Sequence, residues 1–281
     1  MTPNTQQPLV AVIVLNWNGW QDTLHCLESL QALDYANVQL IAVDNGSADD
    51  SVQRIRAAYP GLTLLESGGN LGFGGGCNVG MRYALAQGAE YVWLINSDAT
   101  VAPSALSSLV AVAASNAKVA AVGSVIYEAD RPDEVQLWGG GRVNLWLGRS
   151  RHCKVDGPLD FVSGASVLLR RQALEKQGMF DENTFFMYWE DTDLGFRLRK
   201  AGWQLKVAPN SKVWHKLSAS LGKGSPVLDQ YFMRSAVRFL RRYAPLPAVP
   251  IAMLMASFLA RRLLLRDWDR IRAVFRGFDE A

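Results

Sequence analysis

Short apolar runs alternate with amphipathic segments along the first half of the chain. The runs are rich in Val, Ile and Leu, which predicts strands at residues 9–15, 38–43, 62–66, 91–95 and 119–126. The segments between them have helical spacing and predict helices near residues 20–32, 49–58, 74–87 and 103–115. Strands that are apolar on both faces and alternate with helices are typical of a parallel sheet covered on both sides. The pattern therefore predicts an α/β fold.

Polar residues follow four consecutive strands of this predicted sheet. The segments are "NWNG" (16–19), "DNGSADDS" (44–51), "SGGNLGFGGGCNVG" (67–80) and "NSDAT" (96–100). In parallel sheets the ligand lies beyond the carboxyl ends of the strands, so these segments should meet at one site. Each segment alone is also what a turn requires, because Asn, Asp and Gly favour turns. The four together favour a ligand site.

The glycine-rich segment does not match the common nucleotide-binding motifs. In "LGFGGGC" Cys77 stands where GxGxxG requires its third glycine, and the segment follows the third predicted strand rather than the first. A P-loop is absent too, because Leu217 stands where the first glycine of GxxxxGK should precede the Gly-Lys at 222–223. We expect a tight turn that brings Asn70 and the following helix close to a ligand.

The pattern changes after Tyr127. Residues 131–157 combine scattered apolar residues with many glycines, and we expect an excursion over the active site. The chain then returns in "DFVSGASVLLRR" (160–171), a predicted strand followed by a short helix. Later, "VWHKLSASLGKGSP" (213–226) places His215 between a strand-like run and a Lys/Ser/Gly loop that could meet phosphate.

Three carboxylates stand within four positions in "FFMYWEDTDLG" (185–195), directly behind five large apolar side chains. Acidic residues favour the first turn of a helix, and "DTDLGFRLRKAG" has helical spacing, with Asp193 and Arg197 able to pair at i,i+4. Helix capping explains one or two of the acids. It leaves the aromatic run and the third acid unexplained.

Composition and charge narrow the class of protein. The 281 residues are 49% apolar and 20% charged with nine Trp, which excludes disorder and collagen-like repeats. The net charge of +3 is too small to favour a nucleic-acid partner. Between Arg234 and Arg276, however, there are ten Arg and no Lys against only Asp267 and Asp269. The apolar run at 246–260 has fifteen residues and two prolines, fewer than the roughly 20 of a membrane-spanning helix.

The cysteines predict a reduced protein. Cys26, Cys77 and Cys153 are odd in number and occur in unrelated settings, without a CxxC pair. We see no secretory signal peptide at the start and therefore expect a cytoplasmic protein.

Seven motifs, in order, resemble those of one known family. They are "VIVLNWNG", "VDNGSADDS", "NLGFGGGCNVG", "LINSDA", "DFVSGASVLLRR", "FFMYWEDTDLGFRLRKAGW" and "VWHKLSAS". The sequence resembles the inverting family-2 glycosyltransferases, and most of all the bacterial rhamnosyltransferase-like group that builds surface polysaccharides. The resemblance runs from about Val10 to Ser220. It implies the GT-A fold, a Rossmann-like and mostly parallel sheet with helices on both faces, together with a nucleotide-sugar donor and a divalent metal.

The resemblance implies a nucleotide site at the strand ends. Asp44 would accept a hydrogen bond from the pyrimidine N3–H, and backbone near Leu15 would line the base. The residues assigned to the nucleotide are Leu15, Asn16, Asp44, Asn45, Asn70, Gly72, Asn96 and Ser97.

The resemblance also implies a metal site. "NSD" (96–98) occupies the place of the family's DXD motif, so Asp98 is the implied metal ligand and Asn96 replaces the first carboxylate. One carboxylate holds Mg²⁺ or Mn²⁺ less firmly than two. His215 is the implied second ligand and favours Mn²⁺. Weak or optional metal dependence stays open.

The catalytic base is implied by the "ED" after the aromatic run. Asp191 would take the proton of the acceptor hydroxyl, Glu190 would orient the acceptor or the base, and Asp193 would cap the helix. Gly164 and Trp189, with Glu190, would contact the acceptor or the donor sugar. The leaving diphosphate would meet Lys216 and Lys223.

We expect a catalytic domain at residues 1–226, with a nucleotide-binding half at 9–126 and an acceptor half at 127–226, and a helical, Arg-rich extension at 227–281. In the extension, "RRLLLRDWDRIRAVFR" predicts one helical face of apolar side chains opposite arginines. The residues of that face are Leu263, Leu264, Trp268, Ile271 and Phe275. Such a helix either packs on the domain or on a second subunit, as in a homodimer, or contacts a membrane surface.

The predicted function is transfer of L-rhamnose from dTDP-L-rhamnose to a lipid-linked or oligosaccharide acceptor at the inner face of the plasma membrane. A UDP-sugar donor is not separated from this, because Asp44 would serve uracil and thymine alike. A nucleotidyltransferase would need a basic, Gly-rich triphosphate loop after the first strand, where this chain has "NWNGWQD". A non-catalytic sugar-nucleotide or glycan-binding domain would lose the base, whereas "WED" is intact here.

Overall fold

A large mixed sheet with helices on both faces forms the body of the structure, a computed structural model that describes residues 7–216 and 225–281. The strands of the described chain are β1 (Val10–Asn16), β2 (Val38–Asp44), β3 (Thr63–Glu66), β4 (Tyr91–Asn96), β5 (Ala99–Val101), β6 (Val119–Glu128), β7 (Arg131–Trp138), β8 (Gly140–Asn144), β9 (Arg149–His152), β10 (Phe161–Val162), β11 (Ser166–Arg170) and β12 (Gln204–His215). Its helices are α1 (Trp20–Gln31), α2 (Ser51–Ala58), α3 (Gly72–Ala86), α4 (Ala105–Ala114), α5 (Arg171–Gln177), α6 (Glu190–Lys200), α7 (Pro226–Tyr243), α8 (Ala248–Leu264) and α9 (Trp268–Asp279).

The sheet has the strand order β3-β2-β1-β4-β11-β6-β12-β5, with β7 paired to β6. Strands β1, β2, β3, β4, β6 and β12 run in one direction, whereas β5, β7 and β11 run in the other. The prediction of a mostly parallel sheet with alternating helices is therefore confirmed. The antiparallel β11, inserted between β4 and β6, separates β1, β2, β3 and β4 from the other strands of the sheet.

Two apolar layers hold the helices to the sheet. Val12 and Val14 of β1 belong to the layer that also holds residues of α1, α2 and α4. Ile13, between them in sequence, belongs to the opposite layer with residues of α3, α5 and α6. Successive strand residues face opposite sides, so a strand covered on both sides must be apolar throughout. This explains why the sequence pattern predicted these strands.

The second half of the chain is more regular than its sequence suggested. Residues 131–157, expected as an excursion, contain β7, β8 and β9, and the β8–β9 hairpin pairs with β10 in a small separate sheet. The predicted strand at 160–171 is interrupted between β10 and β11. The strand-like run expected before His215 is the end of the longer strand β12, whose register against β6 shifts between Ala208 and Lys212.

The C-terminal helices pack on the aromatic run. Phe185 and Trp189 share a third apolar cluster with residues of α7, α8 and α9, and the Trp189 and Phe239 rings lie 4.7 Å apart. The expected single amphipathic face is wrong, because α8 ends at Leu264 and Arg266 turns the chain with φ 53°. Asp267 then caps α9. Within the described ranges, no helix combines the length and apolarity needed to cross a membrane.

Candidate active site

A cleft of about 720 Å³ opens at the carboxyl ends of β1 and β4. Strand ends form its floor, the segment 187–192 forms a wall, and α7 and the β8–β9 hairpin close the sides. The predicted site residues that line it are Leu15, Asn45, Asn70, Gly72, Asn96, Ser97, Asp98, Gly164, Trp189, Glu190, Asp191 and His215. The rule that ligands bind beyond the carboxyl ends of parallel strands thus located the cleft.

Asp44 and Asn16 lie beneath the cleft rather than on its surface. Asp44 is buried, and one carboxylate oxygen accepts from the Asn16 side chain (2.8 Å) while the other accepts from the Ser47 backbone N–H (3.0 Å). The Asn16 oxygen accepts from Thr23 (2.7 Å). These bonds shape the loops after β1 and β2. A carboxylate oxygen can accept more than one hydrogen bond, so Asp44 still has capacity for a pyrimidine N3–H. That contact stays a prediction.

The glycine-rich segment approaches the aromatic run rather than forming a phosphate loop. Gly72 has φ 75°, and a Cβ added there would lie 2.0 Å from the carbonyl oxygen of Phe186. The next backbone N–H, of Phe73, donates to that same oxygen (2.9 Å). Asn45 binds the segment from the other side, donating to the Gly72 carbonyl (3.0 Å) and accepting from the Leu71 N–H (3.1 Å). The glycine is needed because the two backbones touch.

Three residues of the cleft wall have left-handed backbone conformations. Asn18, Tyr188 and Trp189 have φ of 51°, 67° and 70°, and all three line the cleft. For the bulky aromatic residues this conformation costs of order 1–3 kcal/mol, and such strain concentrates at functional sites. The turn at Tyr188 and Trp189 directs α6 so that its first residues enter the cleft.

Asp191 is held rigidly at the start of α6. Its Oδ2 accepts from the Gly164 backbone N–H (3.0 Å), and its Oδ1 accepts from the Thr192 backbone N–H (2.6 Å) and hydroxyl (3.1 Å). Burial raises the pKa of Asp191, while these hydrogen bonds and nearby His152 oppose the rise. The three donors favour the ionised carboxylate.

Glu190 lacks such support. Its side chain is buried, and Oε2 has no hydrogen-bond partner among the described residues. Burial and then the charge of Asp191 raise the pKa of Glu190. Two adjacent buried carboxyl groups do not both ionise readily. The proton therefore favours Glu190, whose carboxyl group lacks the hydrogen-bond donors that Asp191 has. The contacts therefore favour ionisation of Asp191 over ionisation of Glu190.

Asp193 does not cap the helix, which corrects the sequence prediction. Its fully buried carboxylate accepts from Arg197 (2.7 Å), as predicted for i,i+4, and from Arg242 and Tyr243 of α7 (both 2.8 Å). Arg242 also donates to Asp181 (2.8 Å). Asp193, the third acid of the motif, thus anchors α7 to α6, a tertiary contact that no spacing rule predicts.

Asp98 and His215 offer an oxygen and a nitrogen to one point of the cleft. Asp98 Oδ1 lies 3.1 Å from His215 Nε2. The other ring nitrogen, Nδ1, lies 2.9 Å from Gln136 Oε1, whose amide nitrogen donates to Glu128 (3.1 Å). Because that bond orients the amide, Nδ1 carries the proton in the neutral ring and Nε2 presents a lone pair to the cleft.

This donor set fits a divalent ion of the Mn²⁺ type, for which carboxylate oxygen and imidazole nitrogen are suitable ligands. The Asn96 amide donates to the same ring nitrogen at 3.0 Å, and a metal ion bound to that lone pair would displace this hydrogen bond. The described residues contain no cluster of three or more His, Cys, Asp and Glu side chains placed to hold a metal. Any ion at this point therefore needs further ligands from substrate or water.

Lys216, one of the two predicted phosphate-binding lysines, is not among the residues that line the cleft. Lys216 pairs with Asp22, a residue of the cleft lining, and its backbone N–H donates to the Asp98 carbonyl (3.1 Å). Lys223 lies outside the described residues. The roles of both stay predictions.

Several lining residues were missed by sequence reasoning. Ser150 and His152 reach the cleft from β9, and Leu228 and Phe232 reach it from α7. The excursion at 131–157 was the only sequence signal for the first pair. Nothing in the sequence pattern connects α7 with a strand end, because its place depends on the Asp193 anchor.

Known proteins resemble this chain in sequence and in structure. The family model for glycosyl transferase family 2 matches residues 11–178. An N-acetylglucosaminyl-diphospho-decaprenol L-rhamnosyltransferase of Mycobacterium tuberculosis is 30% identical over 241 residues, covering 76% of this chain and 78% of the relative.

Two solved structures share the fold. The mannosyltransferase PcManGT from Pyrobaculum calidifontis, in complex with GDP-Man and Mn²⁺, aligns with a TM-score of 0.63 and 19% identity over 97% of this chain and 86% of that one. GalNAc-T7 with UDP, GalNAc and Mn²⁺ aligns with a TM-score of 0.72 and 13% identity over 87% and 50%. Together, the family match, the 30% identical relative and the GT-A architecture show that this chain is a glycosyltransferase and belongs to glycosyl transferase family 2.

Proposed function

We propose that this glycosyltransferase moves L-rhamnose from dTDP-L-rhamnose onto a lipid-linked or oligosaccharide acceptor in surface polysaccharide synthesis, with inversion at the anomeric carbon. One observation carries the proposal. The rigidly held Asp191 carboxylate and the Asp98–His215 pair line the same cleft. The choice of sugar is supported by the L-rhamnosyltransferase that is 30% identical to this chain.

In the proposed reaction Asp191 is the general base. The acceptor hydroxyl attacks the anomeric carbon and its proton passes to the Asp191 carboxylate. The new carbon–oxygen bond forms as the bond to the donor phosphate breaks, and the electron pair leaves with the nucleoside diphosphate. The donors from Gly164 and Thr192 fix the base for this attack, and Trp189 and the protonated Glu190 restrict water around it.

Asp98 and His215 are the proposed holders of a divalent metal, with Mn²⁺ favoured by the imidazole. Bound there, the metal would neutralise charge on the donor diphosphate. Gln136 acts on this pair as a positioning residue, because it sets the tautomer of His215.

We place the nucleobase of the donor nucleotide where β1 and β2 end. Leu15, Asn45 and Asn70 are on the cleft surface there, with Asp44 directly behind them. A UDP-sugar remains the alternative donor, since uracil and thymine offer the same N3–H. We also propose that the enzyme works at the inner face of the plasma membrane, where a lipid-linked acceptor presents its sugar.

Calorimetric titration of dTDP and UDP tests the donor site first, with Mn²⁺, with Mg²⁺ and with chelator. We expect dTDP to bind more tightly with Mn²⁺ than with chelator. Product analysis with dTDP-L-rhamnose and an N-acetylglucosaminyl-diphospho-lipid then tests transfer. Tight UDP binding with no dTDP binding would move the proposal to a UDP-sugar. Nucleotide binding without transfer from any donor would favour a non-catalytic binding domain.

A further inference from the structure

An exposed apolar stripe runs along the outer face of α8. Its members follow one another at three- or four-residue spacing, or adjacent at its end, as a single helical face requires. They are Val249, Met253, Ala256, Ala260, Leu263 and Leu264. At 1.5 Å per residue the stripe is about 22 Å long. Val249, Met253 and Leu264 are 45%, 46% and 86% exposed, so nothing in the described chain covers them.

The turn that adjoins each end of α8 carries an exposed tryptophan. At the C-terminal end the α8–α9 turn adds Leu265 and Trp268, which are 65% and 59% exposed. At the N-terminal end the β8–β9 turn packs on α8, because a Cβ added at Gly148 would lie 2.7 Å from the Pro250 carbonyl oxygen. Trp146 of the same turn is 56% exposed. The stripe and the two turns that adjoin the ends of α8 are together called the α8 surface here.

Both ends of the α8 surface carry arginines that have no ion-pair partner among the described residues. They are Arg142, Arg149 and Arg151 in the hairpin and Arg261 and Arg266 near the α8–α9 turn. Arg142 is directly opposite Arg151 in the β8–β9 ladder. Like charges at opposed positions destabilise a ladder, so an external anion would relieve them.

The acids at the α8–α9 turn are already engaged. Asp269 pairs with Arg272, and Asp267 accepts from the Arg270 backbone N–H at the start of α9. The α8 surface therefore combines exposed apolar side chains with uncompensated positive charge.

We propose that the α8 surface docks on a bilayer that contains anionic lipid. Its tryptophans and leucines enter the interfacial region, and its arginines meet the lipid phosphates. A second copy of the chain fits less well, because a two-fold contact through this surface would bring the same unpaired arginines toward each other.

Docking through the α8 surface would hold the cleft near the membrane. The benefit of that arrangement, access to a lipid-linked acceptor, rests on the proposed function. Phe232 lines the cleft and stacks on Phe258 of α8, with ring centroids 5.3 Å apart. Ser150, in the hairpin that carries Trp146, also lines the cleft. Phe258 is on the face of α8 opposite the stripe, so the Phe232–Phe258 contact and the thickness of α8, about 10 Å, separate the cleft from the stripe. A lipid-linked acceptor held in the bilayer could reach Asp191 from that side.

Vesicle co-sedimentation of the untagged, full chain tests the proposal. The probes are vesicles of phosphatidylcholine alone and of phosphatidylcholine with phosphatidylglycerol. One variant combines Trp146→Ser with Leu264→Ser, a second combines Arg149→Gln with Arg151→Gln, and a matched control combines Arg54→Gln with Arg56→Gln on α2. The changed side chains in each variant are exposed, so we expect all four proteins to fold alike.

The parent chain should bind the anionic vesicles more tightly than the neutral ones. The apolar variant should lose about tenfold or more in partition, and the arginine variant about fivefold for each charge removed. The control should match the parent. Calorimetric dTDP binding and transfer to a water-soluble acceptor involve no vesicles, so failure of the proposed function would show there independently.

Two results would overturn the proposal. One is a parent chain that stays in the supernatant with anionic vesicles, or surface variants that partition as the parent does. The other is a dimer in light scattering that the apolar variant dissociates, which would assign the α8 surface to a second copy.

Discussion

The backbone N–H of Gly164 donates a hydrogen bond to Oδ2 of Asp191 at 3.0 Å. Gly164 lies between β10 and β11, so the turn that leads into the central sheet also positions the proposed base. A Cβ at Gly164 would lie 2.9 Å from the Phe73 ring, which explains why the turn has a glycine there. Backbone donors of this kind need no reorganisation during the reaction.

Replacing Asp191 with Asn should lower the turnover number by about 10²–10⁴, because a general base contributes that much. The amide keeps the size of the side chain, so dTDP affinity should stay close to that of the parent, while the loss of one acceptor for the Gly164 or Thr192 N–H should lower stability by about 1–3 kcal/mol. Initial rates measure the turnover number, and calorimetry measures the dTDP affinity. Glu175→Gln, at an exposed position of α5, is the control. A variant that transfers rhamnose at the parental rate would exclude Asp191 as the base.

Replacing Gln136 with Leu should weaken Mn²⁺ binding about 10–100-fold, as loss of a partner behind a metal-binding histidine does. Without the Gln136 oxygen, the proton of His215 is free to move to Nε2 and block the lone pair that faces Asp98. Titration of Mn²⁺ in the presence of dTDP measures this without turnover. Gln53→Leu, at an exposed position of α2, is the control and should bind Mn²⁺ as tightly as the parent does. Equal affinities in all three proteins would remove Gln136 from the site.

Glu190 should make stability fall as pH rises. Burial and the Asp191 charge raise its pKa in the folded state, so the folded protein keeps a proton that the unfolded chain releases above about pH 4.3. Between the unfolded and folded pKa values the unfolded state binds fewer protons, and the free energy of unfolding decreases with pH.

Glu190→Gln removes this titration, so its advantage over the parent should grow as pH rises through that window. Urea unfolding at several pH values measures the difference. Glu175→Gln, which changes an exposed carboxylate, should run parallel to the parent. A constant offset between Glu190→Gln and the parent at every pH would contradict the raised pKa.

Asp193→Asn should lower the free energy of unfolding by about 3 kcal/mol, because it leaves Arg197 and Arg242 without their buried counter-charge. The exposed pair of Asp269 with Arg272 on α9 is the comparison, and Asp269→Asn should cost less than about 1 kcal/mol. Chemical denaturation measures both. Similar losses for the two variants would mean that the Asp193 network does not hold α7 in place.

The fold was largely predictable because its strands are covered on both faces. Residues 10–16 of β1 lie against helices on two sides, so nearly every position must be apolar and the run stands out in the sequence. Short β5 gave no such signal, and neither did β7, whose first four residues are exposed. Those strands exist because neighbouring strands offer them hydrogen bonds.

The candidate site was predictable where it lies at strand ends, and less so elsewhere. Asn45, Asn96 and Asp98 follow apolar runs and were found by position alone, whereas roles for Asp191 and His215 came from the family resemblance. Asn96 and His215 meet across 119 positions of sequence. No local periodicity encodes such a contact.

The sequence by itself determined the α/β class, the strands β1, β2, β3, β4 and β6 and the edge at which the polar loops gather, since these depend on the local pattern of apolar and polar residues. Only the tertiary structure decided that β11 enters antiparallel, that Asp193 anchors α7 instead of capping α6, and that the β8–β9 turn rests on α8 beside the stripe. Each of these depends on contacts between segments far apart in the chain, and such contacts form only when burial, charge pairing and backbone hydrogen bonds are satisfied together.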